Sequence, residues 1–110
     1  MKKILIGITV CCAALAAQAQ AAELPTFRLE GKNGVFTPNR IEVPAGQRIK
    51  IELHNSGQSA IEFESLPLRK EKVLGPGASS FVVINPLSPG EYKFFDDFHP
   101  NTGKGVIVAR

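Results

Sequence analysis

Sulfur is almost absent from this 110-residue chain, which has two cysteines and one methionine. All three lie at the N-terminal end, as Met1 and the adjacent pair Cys11 and Cys12. If that end is removed, the rest of the chain has no disulfide and no thiolate or thioether ligand. Because Cu(I) sites normally use Cys or Met, the composition argues against a Cu(I)-binding protein.

Long apolar runs are also missing, except at the start of the chain. Met1, Lys2 and Lys3 precede an apolar run over residues 4–17 and a small-residue stretch over residues 17–22, the pattern of a secretory signal. The run is shorter than the roughly 20 residues of a membrane-spanning helix, and Val10 before Cys11 is a poor fit to a lipoprotein signal. We therefore expect a signal peptide over residues 1–21, an exported domain over residues 22–110, and no membrane insertion of the mature chain.

Excess charge of one sign is absent from the expected mature chain. Removing Lys2 and Lys3 leaves 11 basic against 10 acidic residues, a net charge of +1 instead of +3. This balance gives no argument for nucleic acid as a partner. The one basic cluster, residues 69–72, contains Glu71; we interpret it as a solvated loop, with a partner-docking patch as the alternative.

Helical periodicity is not visible beyond residue 26, and short apolar runs alternate with Pro and Gly turns. Residues 48–53 alternate strictly, which places Ile49, Ile51 and Leu53 on one buried face. The pattern predicts one all-β, Greek-key β-sandwich of seven or eight strands. The expected strands are 26–30, 35–37, 40–43, 47–54, 60–65, 79–84, 90–96 and 104–109.

Two apolar segments and two aromatic residues carry more specific expectations. Residues 81–84 and 106–108 are apolar throughout, which is typical of central strands. Phe94 is expected to pack in the core, and Tyr92 to hydrogen-bond a neighbouring loop, as in the corner of Greek-key sandwiches.

The last two predicted strands enclose a loop with one histidine, Tyr92 to Val108. This segment resembles the ligand loop of blue-copper proteins, where Cys, then His three residues later, then Met bind the metal. His99 keeps the histidine position, Asp96 stands where the cysteine would be, and Gly103 and Lys104 offer no methionine. The resemblance therefore implies the copper-protein frame with oxygen ligands instead of sulfur, a set that suits Cu(II), Fe or Zn.

The middle of the chain extends the likeness. Its features are Phe36-Thr37-Pro38, the Pro44-Ala45-Gly46 turn, a strand ending at Asn55, Glu62-Phe63-Glu64, and the turns at residues 75–77 and 87–92. In this order they resemble the EfeO-type cupredoxin-like domain family, in its stand-alone form. That resemblance implies a periplasmic protein that binds copper or iron and assists Fe(II) oxidation or delivery in bacterial iron uptake. The implied partner is an inner-membrane iron permease or an associated periplasmic iron-binding protein.

Five side chains are the candidate metal ligands: His99, Asp96, Asp97, Glu62 and Glu64. Each has a plainer alternative, since a loop histidine is often just exposed and Asp96-Asp97 can be a turn that accepts backbone N–H bonds. Strand alternation puts Glu62 and Glu64 on one face, and Glu62 is the preferred ligand of the two. His54, at a strand end, is interpreted as structural.

Three functions follow. The first is a copper-binding accessory of iron uptake, with copper (as Cu(II)) and iron as the metals and a ferroxidase-assisting role as its enzymatic form. The second is a copper chaperone or buffer without redox turnover, and the third is a metal-free sandwich that acts as a binding module. Ser79 and Ser80 lack the setting of a hydrolase nucleophile.

Overall fold

The computed structural model describes residues 24–110, so the predicted signal peptide lies outside the described residues. This part of the chain forms nine β-strands. They are β1 (Thr26–Lys32), β2 (Val35–Thr37), β3 (Arg40–Val43), β4 (Ile49–Asn55), β5 (Ile61–Ser65), β6 (Lys70–Leu74), β7 (Ser79–Ile84), β8 (Gly90–Asp96) and β9 (Lys104–Ala109). In residues 24–110 no helix is long and apolar enough to cross a bilayer.

The strands form two sheets, which confirms the predicted all-β sandwich. One sheet has the order β2-β1-β4-β7 and the other the order β3-β9-β8-β5-β6. The last two strands, β8 and β9, are antiparallel neighbours, while β1 pairs with β4 and β3 with β9 in parallel. The loop over residues 96–103 therefore connects two neighbouring strands in the interior of the five-stranded sheet.

The core lies between the sheets and follows from strand alternation. Ile49, Ile51 and Leu53 are buried as predicted, and Phe94 is 1% exposed. Phe94 packs against Phe36 and Phe63 with ring centroids 5.4 and 5.2 Å away. Such aromatic contacts add to the free energy gained from apolar burial, and they pack β5 and β8 against β2.

The predicted tyrosine corner is confirmed. The Tyr92 hydroxyl donates a 2.8 Å hydrogen bond to the carbonyl oxygen of Ser88. The contact closes the turn that precedes β8, so that the strand enters the sheet in a fixed register.

Two expectations about strands are wrong. Residues 70–72, interpreted as part of a solvated loop, belong to β6, an edge strand in which the partly buried Lys70 and Lys72 alternate with exposed positions. Charged side chains are typical of edge strands because they discourage pairing with another chain. The apolar strand β7 was expected to be central and lies at the edge of its sheet, where Lys50 covers the exposed Phe81 ring at 4.6 Å from its centroid.

Candidate metal centre

Asp96 and Asp97 are adjacent in sequence and point to opposite sides of the five-stranded sheet. Asp96 ends β8 and lies opposite Phe63 of β5, a core residue, so its side chain faces inward and is 2% exposed. Asp97 is exposed, and its backbone N–H donates to the carbonyl oxygen of Glu62. The strand end thus divides the candidate ligands into two groups.

The outer group comprises Glu62, Glu64 and Asp97, which we call the carboxylate cluster. One carboxylate oxygen from each residue lies within 4.8 Å of the others. Glu62 and Glu64 are half-buried while Phe63 between them is fully buried, so the predicted shared face of these two residues is confirmed. Three carboxylate oxygens at this spacing are hard donors that can hold a cation, and an added imidazole nitrogen would favour Cu(II), Fe or Zn.

The carboxylate cluster carries unbalanced negative charge. Partial burial raises the pKa of Glu62 above its usual value, and the nearby charges of Asp97, Glu64 and Glu71 raise it further. Burial also raises the pKa of Glu64, again with contributions from Asp97 and Glu71. A cation placed among these oxygens would relieve the repulsion between them.

Glu71 is the member of this surface that sequence reasoning missed. Its side chain is exposed, in agreement with its interpretation as solvated, but its position directly opposite Glu64 in the β5–β6 ladder was not foreseen. Like charges opposite each other in a sheet repel. The pairing could have been predicted from the sequence only if residues 70–74 had been recognised as a strand.

The inner group is Asp96, which is buried, and His99, which is partly exposed; we call them the buried pair after Asp96. Nδ1 of His99 lies 2.8 Å from Oδ2 of Asp96. Oδ1 of Asp96 accepts backbone hydrogen bonds from Glu62 at 2.9 Å and from Phe98 at 3.0 Å. Among residues 24–110, Asp96 and His99 are not part of the group of three carboxylates, so the five predicted ligands do not form one cluster.

Two glycines make room for the buried pair. A Cβ on Gly34 would lie 2.8 Å from Cγ of His99, and a Cβ on Gly103 would lie 2.6 Å from Cβ of Asp96. Gly34 also has a φ of 81° in the β1–β2 turn, and its carbonyl oxygen accepts a 2.6 Å hydrogen bond from the Thr102 hydroxyl. The tip of the first hairpin therefore supports the loop that carries His99.

His54 lies on the other sheet. Its Nδ1 is 2.7 Å from Oγ of Ser79, and both residues line a groove of about 610 Å³ over β1, β4 and β7. Among residues 24–110, His54 is not part of the group of side chains that could hold a metal ion.

The family of the chain follows from its sequence as well as from this fold. The chain belongs to the Cupredoxin-like domain family, which matches residues 5–109. The expectation of a cupredoxin-like frame is therefore confirmed.

Two curated proteins are similar to the chain. An uncharacterized protein, RP394, from Rickettsia prowazekii (strain Madrid E) is 40% identical over 78 residues, which cover 71% of this chain and 62% of that protein. The iron uptake system component EfeO of Yersinia pseudotuberculosis serotype I is 31% identical over 83 residues, or 72% of this chain and 22% of EfeO. The chain thus spans less than two thirds of the length of either relative.

Solved structures share the fold at low sequence identity. The metal-binding domain of the Cu(I)-exporting ATPase CopA from Streptococcus pneumoniae D39, solved with Cu(I), has a TM-score of 0.68 at 17% identity and covers 77% of this chain and 84% of that domain. Dithionite-reduced auracyanin from Roseiflexus castenholzii has a TM-score of 0.63 at 19% identity and covers 77% and 96%. These likenesses establish the cupredoxin fold.

Proposed function

We propose that this chain is an exported, periplasmic metal-binding protein that assists Fe(II) oxidation or iron delivery in an uptake system, with Cu(II) as its resident metal. The observation that carries the proposal is the carboxylate cluster, Glu62, Glu64 and Asp97, on one face of a cupredoxin-like sandwich. The likeness to EfeO, an iron uptake component, supports the link to iron.

The donor set fits copper in its oxidised form. Every ligand that the described residues offer here is an oxygen or an imidazole nitrogen, and such donors suit Cu(II) better than Cu(I). Bound Cu(II) would supply an electron acceptor for Fe(II). The protein's own contribution is to hold three carboxylates close together on a sheet face, where they attract cations and favour the more highly charged Fe(III) over Fe(II).

His99 is proposed to bind a metal through its Nε2 atom, as a group separate from the carboxylate cluster. Its Nδ1 atom is already engaged by Asp96, so Nε2 is the nitrogen that remains available. Asp96, whose Oδ1 accepts two backbone N–H groups and whose Oδ2 contacts Nδ1 of His99, is a better support for His99 than a direct ligand.

The proposed partner is an inner-membrane iron permease or a periplasmic iron-binding protein that receives iron from this chain. The acidic surface formed by the carboxylate cluster and Glu71 can accept iron before it is handed over. The N-terminal residues 1–21, with their two lysines and apolar run, support export to the compartment where such a transfer takes place.

Calorimetric titration of the metal-stripped protein with Cu(II), Fe(III) and Zn(II) tests the proposal. We expect a micromolar or tighter site that is weakened about tenfold or more in Glu62→Gln and Glu64→Gln, because each change removes an anionic ligand. Glu91→Gln is the matched control, since Glu91 is an exposed glutamate of β8, a strand of the same sheet.

Equal weakening in Glu91→Gln would show a general charge effect instead of a ligand site. A wild-type protein without any micromolar site for the three ions would favour the metal-free binding module. Retained Cu(II) binding without any acceleration of Fe(II) oxidation would favour the copper buffer.

A further inference from the structure

Asp96 occupies the position where blue-copper proteins have their cysteine, and here its carboxylate is fully used within the protein. Oδ1 accepts N–H hydrogen bonds from Glu62 and Phe98, and Oδ2 faces Nδ1 of His99 at 2.8 Å. The side chain is 2% exposed, so water does not compete for these contacts. Oδ1 already accepts two backbone N–H groups, so the position of the hydrogen between Oδ2 and Nδ1 decides the state of the pair.

The state of the imidazole follows from this arrangement. An ionised carboxylate only accepts hydrogen bonds, so the Nδ1 atom that faces it must carry a hydrogen. In the neutral ring the second nitrogen, Nε2, then has a free lone pair, which is the form that binds metals. This is the opposite of the tautomer that predominates in free histidine.

Nε2 of His99 is open to solvent. The His99 side chain is 32% exposed, and within residues 24–110 no hydrogen bond to Nε2 is formed, while no buried side-chain nitrogen or oxygen is left without a partner. Gly34 lies against the ring, so closely that a Cβ at this position would come within 2.8 Å of Cγ of His99. The ring is therefore fixed on one side and accessible on the other.

We propose that Asp96 is a positioning residue that locks His99 in the Nδ1–H tautomer and so presents Nε2 as the metal-binding nitrogen. Through Oδ1 the same carboxylate holds the backbone N–H of Glu62, and it thereby links the His99 loop to the strand that carries the carboxylate cluster. The effect of Asp96 on the His99 tautomer is a property of the metal-free protein. The metal-binding role of Nε2 depends on the proposed function.

The tautomer can be read directly from the imidazole ¹⁵N signals of the metal-free protein, at a pH where the ring is neutral. We expect the wild-type spectrum to show a protonated Nδ1 and an unprotonated Nε2 for His99. His54, the other histidine of the chain, serves as an internal reference. An Nε2–H tautomer for His99 in the wild-type protein would overturn the proposal without the need for any variant.

Asp96→Asn is the decisive variant. The asparagine oxygen can still accept from the Glu62 and Phe98 backbone, but its NH₂ group then faces Nδ1 of His99 and requires an unprotonated nitrogen there. We expect the tautomer to shift to Nε2–H and Cu(II) affinity to fall about tenfold or more. The control is Asp97→Asn, which removes the same charge from the adjacent residue and should leave the His99 tautomer unchanged. If Asp96→Asn also left the tautomer unchanged, the proposed role of Asp96 would be wrong.

Zn(II), a diamagnetic probe, separates failure of the lock from failure of the metal proposal. Added to the wild-type protein, it should shift the Nε2 signal of His99 and leave Nδ1 protonated. A shift at Nδ1 with loss of its proton would overturn the assignment of Nε2. No shift at either nitrogen would remove His99 from the metal centre, whereas the lock would still be decided by the metal-free spectrum.

Discussion

The buried pair and the carboxylate cluster meet where the end of β8 lies beside β5, and they differ in how their charges are balanced. Asp96 is enclosed by the core and contacted by three N–H groups. Glu62, Glu64 and Asp97 lie on the outer face, where burial and mutual repulsion raise the pKa of both glutamates. The first group is stabilised by the protein alone, whereas the second would gain from a cation.

This difference gives Asp96 a structural role and the carboxylate cluster a binding role. A buried charge persists only when its hydrogen-bonding capacity is met by the protein, and the buried pair satisfies that condition. Clustered like charges cost stability unless something compensates them, and such a cost is common where a protein binds a ligand. The comparison predicts that neutralising Asp96 lowers the stability of the metal-free protein, whereas neutralising the glutamates of the carboxylate cluster raises it at neutral pH.

The largest expected effect is on folding when the buried pair is broken. Asp96→Ala leaves three N–H groups around an empty site, and we expect the free energy of unfolding to fall by about 3 kcal/mol. Chemical denaturation measures this change. Asp97→Ala is the control and should destabilise the protein far less, because Asp97 is exposed; similar losses in both variants would break the distinction between the two groups.

Removal of the other member of the buried pair should mainly affect metal binding. We expect His99→Ala to weaken Cu(II) binding about tenfold while the fold is retained, since His99 lies in a loop at one end of the sandwich. His54→Ala, on the opposite sheet, is the matched control and should leave the affinity unchanged. Calorimetric titration compares the two, and equal affinities in both variants would remove His99 from the site.

The smallest effect should be a pH-dependent change in stability from the carboxylate cluster. The folded-state pKa values of Glu62 and Glu64 lie above their ordinary values, so these groups favour folding below the ordinary glutamate pKa and lose that contribution as the pH rises through the folded-state pKa values. We therefore expect Glu62→Gln/Glu64→Gln to be more stable than wild type at neutral pH.

Thermal unfolding of the metal-free proteins from neutral to acidic pH checks this sign. The advantage of the double variant should shrink as the pH falls, because the wild-type carboxylates become protonated. A double variant that is less stable than wild type at neutral pH would show that these carboxylates support the fold and are not strained by their neighbours.

Most of the fold could be predicted because strand alternation and turn residues are local signals. Ile49, Ile51 and Leu53 were placed correctly on the inner face by their period of two. The order of strands across a sheet is not local, which is why the apolar β7 was expected in the centre and lies at an edge. The charged β6 was missed because an edge strand has little apolar pattern to reveal it.

The candidate site was predictable residue by residue but not in its arrangement. Sequence reasoning named Asp96, Asp97 and His99 together, since they are close in the chain. Their division into two groups depends on Asp96 facing the core and Asp97 facing outward at the end of β8, and the contribution of Glu71 depends on its pairing with Glu64 across strands. Whether any of these residues binds a metal stays a prediction.

The most direct test of the central claim is to locate Cu(II) on the protein by the paramagnetic broadening of backbone amide signals. We expect substoichiometric Cu(II) to broaden first the signals around Glu62, Glu64, Glu71 and Asp97, with His99 close behind. Broadening centred on the groove at His54 and Ser79, on the other sheet, with the carboxylate cluster unaffected, would contradict the account.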